Sequence, residues 1–137
     1  MAEQTPELRT VVVERDIAQP PEKIWRALTQ PHFIEEWLKM KPDFAAEVDR
    51  PYTMTAEWGA VEGRVLESDP FTTLSYTWSA FGLESVVTYT LTPSPRGTLL
   101  RVEQAGFPTT MEYAYQGARQ AWPEYLAAIE QMLAGQP

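Results

Sequence analysis

The stretch Tyr115-Gln116-Gly117-Ala118-Arg119-Gln120-Ala121-Trp122-Pro123-Glu124-Tyr125-Leu126-Ala127-Ala128-Ile129-Glu130-Gln131-Met132-Leu133 decides the fold. Within it Tyr115, Ala118, Trp122, Leu126, Ile129 and Leu133 recur every three or four residues, the spacing of one helix face. Pro123 lacks the N–H that would bond the carbonyl of Arg119. The helix is therefore expected to kink between Arg119 and Trp122, or to restart there. This is the one large amphipathic helix in the chain, so any sheet upstream must use it as a cover.

Upstream, Arg9 to Ile17 reads as a strand, with Val11, Val13, Arg15 and Ile17 on its inner face. Pro20-Pro21 opens a short helix carrying Ile24, Trp25 and Leu28. Pro31 opens a second carrying Phe33, Ile34, Trp37 and Leu38, and Pro42 stops it.

From Phe44 the period switches to two. Phe44 to Val48 is expected to be a strand, turned at Asp49-Arg50-Pro51. Tyr52 to Trp58 then alternates Met54, Ala56 and Trp58 inward, and Gly59-Ala60 is expected to be the hairpin loop into Val61 to Ser68. Leu74, Tyr76 and Trp78 alternate in the next strand, and Ala80-Phe81-Gly82-Leu83 makes its tip. Val87, Tyr89 and Leu91 follow, then Thr98, Leu100, Val102 and Gln104 after a Pro93 to Gly97 turn.

The order predicts an α+β domain: a curved antiparallel sheet of about six to seven strands around a long C-terminal helix, with two short helices after the first strand. No repeat or linker divides it. Residues 9–137 are expected to form one domain, and Met1 to Leu8 a flexible tail.

Ile17-Ala18-Gln19-Pro20-Pro21-Glu22-Lys23-Ile24-Trp25-Arg26-Ala27-Leu28-Thr29 resembles the opening of the SRPBCC (START and polyketide-cyclase) superfamily. The nearest branch is similar to the C-terminal domain of the activator of heat-shock-protein-90 ATPase. Trp37, Gly63 to Pro70, Leu74 to Trp78, Gly97-Thr98 to Gly106-Phe107, and Trp122 with Leu126 and Ile129 continue the match. The resemblance implies a helix-grip, birch-pollen-allergen-like fold, with a cavity between sheet and last helix that often holds apolar small molecules. Pro51-Tyr52 stands where many members carry Gly-Gly, Ala121-Trp122 replaces a Gly-Trp, and Gln104 replaces a frequent His. No chemistry is carried over across these departures.

Composition narrows the partners. A net charge of -8 in 137 residues repels nucleic acid and anionic membrane surfaces. No apolar run could span a bilayer and the N-terminus is no signal peptide, so a cytoplasmic protein is expected. With no cysteine there is no disulfide, thiolate site or Cys nucleophile, and one histidine alone does not make a metal centre. No hydrolase, metalloprotease, phosphate-loop or calcium-loop motif is present. His32 sits beside Pro31 at a helix start, where a surface role is commoner than a catalytic one. No catalytic residue, metal or cofactor is assigned.

The aromatic supply carries the functional signal: 5 Trp, 6 Tyr and 5 Phe. Met54, Trp58, Tyr76, Trp78, Tyr89, Val102 and Gln104 of the sheet, with Tyr115, Ala118 and Trp122 of the helix, form the candidate ligand-binding set. Plain core packing is the rival reading. Against it, buried Tyr and Trp need polar partners, and small Ala118 opposite large rings leaves room. Arg15 on the inner face is expected to pair with a carboxylate rather than anchor a ligand. Phe81 and Leu83, at a hairpin tip, gate the cavity, touch a partner or make ordinary loop contacts, the last being the commoner role. The expected partner is a small apolar molecule. A cyclase- or hydrolase-like enzyme and a chaperone-interaction module are the alternatives, and a homodimer stays open.

Overall fold

A computed structural model describes residues 7–135. Strand β1 (Leu8–Ile17) leads into α1 (Pro21–Thr29) and α2 (Pro31–Leu38). Strands β2 (Lys41–Asp43), β3 (Pro51–Ala56), β4 (Gly59–Asp69), β5 (Thr73–Ala80), β6 (Leu83–Pro93) and β7 (Thr98–Pro108) follow, and α3 (Glu112–Ala134) ends the order. All seven strands pair antiparallel in the order β1-β7-β6-β5-β4-β3-β2. The helix-grip architecture is thus present, with two short helices after the first strand and one long helix as the cover. Among the described residues no helix is long and apolar enough to cross a membrane.

The alternation read from the sequence holds on most strands. Val11 and Ile17 of β1 are buried while Val12 and Glu14 face out. Leu74 and Tyr76 of β5, Val87, Tyr89 and Leu91 of β6, and Thr98, Leu100, Val102 and Gln104 of β7 are buried too. Helix α3 turns Trp122, Leu126, Ile129, Met132 and Leu133 onto this surface. Burying a Leu or Ile side chain of this kind stabilises by about 1.5–3 kcal/mol. Pro21 and Pro31 both sit at helix starts, where their missing N–H costs nothing. The Trp37 indole donates to the Ala27 carbonyl at 2.7 Å and locks α2 against α1.

Arg15 meets a carboxylate, as expected from its face. Its Nη2 and Nε both donate to Glu130 Oε1 of α3, at 2.7 and 3.0 Å.

Four expectations are corrected. First, the strand at this edge is Lys41–Asp43, and 44–48 is irregular. Phe44 instead turns inward, packing edge-on against the rings of Tyr52 and Tyr76. Pro42 is tolerated in β2 because that strand lies at the sheet edge. Second, the β3–β4 turn is Glu57–Trp58 rather than Gly59-Ala60. Gly59, at φ +145°, already pairs with Ala56. Trp58 therefore leaves the inward face and is 54% exposed. Third, α3 runs as one helix through Pro123, so no second helix starts there. Pro123 and Arg119 are both exposed, where water can take the freed carbonyl. Fourth, Leu8 belongs to β1; the rest of the expected tail, apart from Glu7, lies outside the described residues.

Candidate functional site

Helix α3 presents two different faces to the sheet along its length. Its C-terminal half carries the large buried side chains named above. Its N-terminal half carries Ala114, Gly117, Ala118 and Ala121, all small. Small residues hold no volume against the opposing rings, and a cavity of about 170 Å³ opens there. From the sheet, Trp78, Leu83, Gln104 and Phe107 wall it; from the helix, Trp122 and Tyr125 close the far end.

One polar chain runs along this wall. The Trp122 indole N–H donates to Gln104 Oε1 at 2.9 Å. Gln104 Nε2 donates to Ser85 Oγ at 3.0 Å, and Ser85 Oγ donates to the Trp78 carbonyl at 3.0 Å. An indole can only donate, so it fixes which end of the Gln104 amide faces α3. Gln104 keeps a second amide N–H and a second Oε1 lone pair beyond these bonds.

A separate cluster lies deeper in the sheet. The hydroxyls of Tyr76 and Tyr89 hydrogen-bond each other at 2.7 Å, and Tyr52 donates to the Thr77 carbonyl at 2.5 Å. Burial raises the pKa of all three phenols; the neighbouring tyrosine adds to the rise at Tyr52 and Tyr76, whereas at Tyr89 the hydrogen bond with Tyr76 opposes it. These hydroxyls are neutral and already partnered, so they serve the core. Tyr125, on the cavity wall, also has its pKa raised, first by burial and then by the charge of Glu124. It is a neutral phenol at physiological pH, able to donate a proton or hydrogen bond but unsuited to act as a base.

Four members of the ten-residue set come together at the cavity: Trp78, Gln104, Ala118 and Trp122. Met54, Tyr76, Tyr89 and Val102 are core residues outside its lining. Tyr115 stacks edge-on against Phe107, and the Arg9 guanidinium lies 3.8 Å over its ring. Arg9 also pairs with Glu112, whose carboxyl is held below its ordinary pKa by hydrogen bonds from Arg9 and Gln116. That group fastens the start of α3 to β1. Trp58 lies outside the cavity altogether. His32 is exposed on α2, its ring against Phe33. Among the described residues no acidic, His or Cys cluster could hold a metal.

Of the two residues read as a gate, Leu83 lines the cavity and Phe81 does not; Phe107, Ala114, Gly117, Ala121 and Tyr125 line it without having been singled out for that in the sequence. The helical period offers the stripe 114, 118, 121, 125, whereas an aromatic-rich sequence points to large side chains. A cavity is marked by small ones.

Residues 18–134 match the family described as Activator of Hsp90 ATPase homolog 1-like protein. The chain belongs to this family. A crystal structure of a Mesorhizobium loti protein is 51% identical, covering 94% of this chain and 99% of that one, with a TM-score of 0.90. A Rhodobacter sphaeroides protein is 22% identical over 96% of this chain and 100% of its own, at a TM-score of 0.77. The solution structure of the Aha1 dimer from Colwellia psychrerythraea is 17% identical, with 89% and 93% covered and a TM-score of 0.79. These last two share the fold with the Hsp90-activator-like chain. No match is found among curated proteins.

Proposed function

We propose that this family member binds a small hydrophobic or aromatic molecule between the sheet and the N-terminal half of α3. The observation that carries the reading is Gln104: buried, aimed at an otherwise apolar gap, and with hydrogen-bonding capacity left over. Core packing alone explains a satisfied amide and gives no reason for small residues opposite it. The volume of about 170 Å³ lies below the roughly 300–1,000 Å³ of drug-sized sites. It is close to the roughly 150 Å³ engineered cavity that accepts benzene. The ligand class is therefore one ring or a short branched chain, with one polar atom for Gln104. Of the other members of the ten-residue set, Met54, Tyr76, Tyr89, Val102 and Tyr115 would support the walls rather than touch the ligand, and Trp58 takes no part.

Native mass spectrometry of the purified protein tests this directly by seeking a co-purified molecule. An apolar fluorescent probe of one-ring size should bind near equimolar, and Ala118→Trp should abolish binding while the protein stays folded. A probe that does not bind, or binds Ala118→Trp equally, sinks the reading. The family's name speaks of a chaperone ATPase activator. Chaperone contact bears on this chain as a second reading, tested by a pull-down with Hsp90.

A further inference from the structure

Two hairpin turns bring aromatic side chains together on the outer surface. Trp58 in the β3–β4 turn and Phe81 in the β5–β6 turn meet with ring centroids 5.7 Å apart. They are 54% and 74% exposed. Phe81 and Gly82 both have positive φ, 51° and 83°, as a type I′ hairpin turn requires. Asn or Gly takes the first of those positions without strain, whereas a bulky L residue does so at a steric cost. An exposed aromatic ring in a strained turn is thus disfavoured twice in the isolated chain.

Beside Trp58 lies a groove of about 770 Å³, open between the end of α2 and the β3–β4 turn. It exists because β2 leaves β3 after the Lys41–Thr55 pair to join α2, so Ala56 and Glu57 have no partner on that edge. Lys39 and Lys41 line it, two of the three lysines in the chain. Neither ammonium is engaged by a carboxylate among the described residues. Glu35 and Glu57 share the groove and leave it neutral in a chain of net charge -8. On the Phe81 side the charged residues are both acidic, Glu62 and Glu84.

We propose that this face is where two copies of the chain meet. A two-fold interface needs one patch that complements itself. Here an apolar knob flanked by carboxylates, Phe81 with Glu62 and Glu84, adjoins a neutral groove walled by Trp58 and carrying Lys39 and Lys41. Rotation by a half turn near the Trp58–Phe81 contact puts each knob into the other copy's groove. It also puts each carboxylate pair beside the other copy's lysines. The two lysines, without a carboxylate partner among the described residues, give this groove a place for acids beside an exposed apolar group, and a second copy brings both. Stable complexes bury roughly 1,600 Å²; a contact made through one ring and two carboxylates on each side makes a weak dimer.

Sedimentation velocity of the full chain, from micromolar to millimolar concentration, should show a monomer–dimer equilibrium that weakens with salt. Phe81→Asn places the residue such a turn prefers and removes the knob. It should keep the fold by circular dichroism and weaken the dimer at least about tenfold. Lys39→Glu with Lys41→Glu, and separately Glu62→Lys with Glu84→Lys, should each give monomers, and an equimolar mixture of the two variants should dimerise. A wild-type chain that stays monomeric at millimolar concentration overturns the proposal. So does a dimer indifferent to Phe81→Asn, which would place the contact elsewhere, for instance on the β1 edge. A mixture of the charge variants that remains monomeric overturns it as well.

Discussion

The indole N–H of Trp122 donates to Gln104 Oε1 at 2.9 Å, joining α3 to β7 through two side chains that are both buried. Removing the acceptor strands the indole. Gln104→Leu leaves Trp122 Nε1 without a partner and takes the donor from Ser85, so it should destabilise by about 1–3 kcal/mol. Adding Trp122→Phe removes the stranded donor, and the double variant should lose less than the two single losses combined. Urea unfolding followed by far-ultraviolet circular dichroism measures both. Strict additivity would mean that the Gln104–Trp122 bond contributes nothing.

Tyr76 and Tyr89 form the second such pair, their hydroxyls 2.7 Å apart in the core. Either one changed to Phe leaves the other hydroxyl buried without its partner, at a cost of about 1–3 kcal/mol. With both changed to Phe no hydroxyl is left behind, and the pair should cost less than the more damaging single change. Three urea midpoints decide this. A double variant less stable than either single one would show that the hydroxyls contribute independently.

The raised phenol pKa values set the alkaline limit of the fold. Tyr52, Tyr76, Tyr89 and Tyr125 are all raised, burial being the first cause in each. In the unfolded chain they ionise near pH 10. Below that pH both states keep the proton and these groups leave stability unchanged. Above it the unfolded state loses protons that the folded state retains, so stability falls as pH rises. Urea midpoints should be level, so far as the tyrosines govern them, up to about pH 9 and drop steeply beyond about pH 10. Tyrosinate absorbance should then rise together with loss of circular dichroism. Ionisation of these tyrosines in a chain that remains folded would contradict their burial.

The fold was legible because its elements alternate or repeat cleanly, as the buried Leu100-Val102-Gln104 series and the Leu126-Ile129-Leu133 face illustrate. The misreadings sit where one residue suited two roles. Gly59 looked like a turn residue and is a strand residue with positive φ, which displaced the turn by two residues and put Trp58 on the wrong side. Phe44 looked like the start of a strand because it is aromatic; it is buried as a plug against Tyr52 and Tyr76 with no ladder of its own. Gln104 was legible as a polar residue on an apolar face. Its hydrogen-bond chain was not, because Ser85 lies on a different strand and nothing in the local pattern joins them.

Gly117 tests whether the small stripe on α3 is there for access or by default. A Cβ built on it would meet no atom within 4 Å, so nothing in packing demands a glycine. Glycine inside a helix costs about 1 kcal/mol relative to alanine. Gly117→Ala should therefore stabilise by about 0.5–1 kcal/mol and raise Tm by roughly 2–5 °C. The probe should still bind, since one methyl group in open space leaves the cavity unfilled. Gly117→Leu should keep most of the helical gain but weaken probe binding, because the longer chain can fold over the mouth between Ala114 and Ala121. Differential scanning calorimetry and a probe titration on the same samples separate the two effects. If Gly117→Leu binds the probe as well as the wild type does, the ligand does not enter past this stripe.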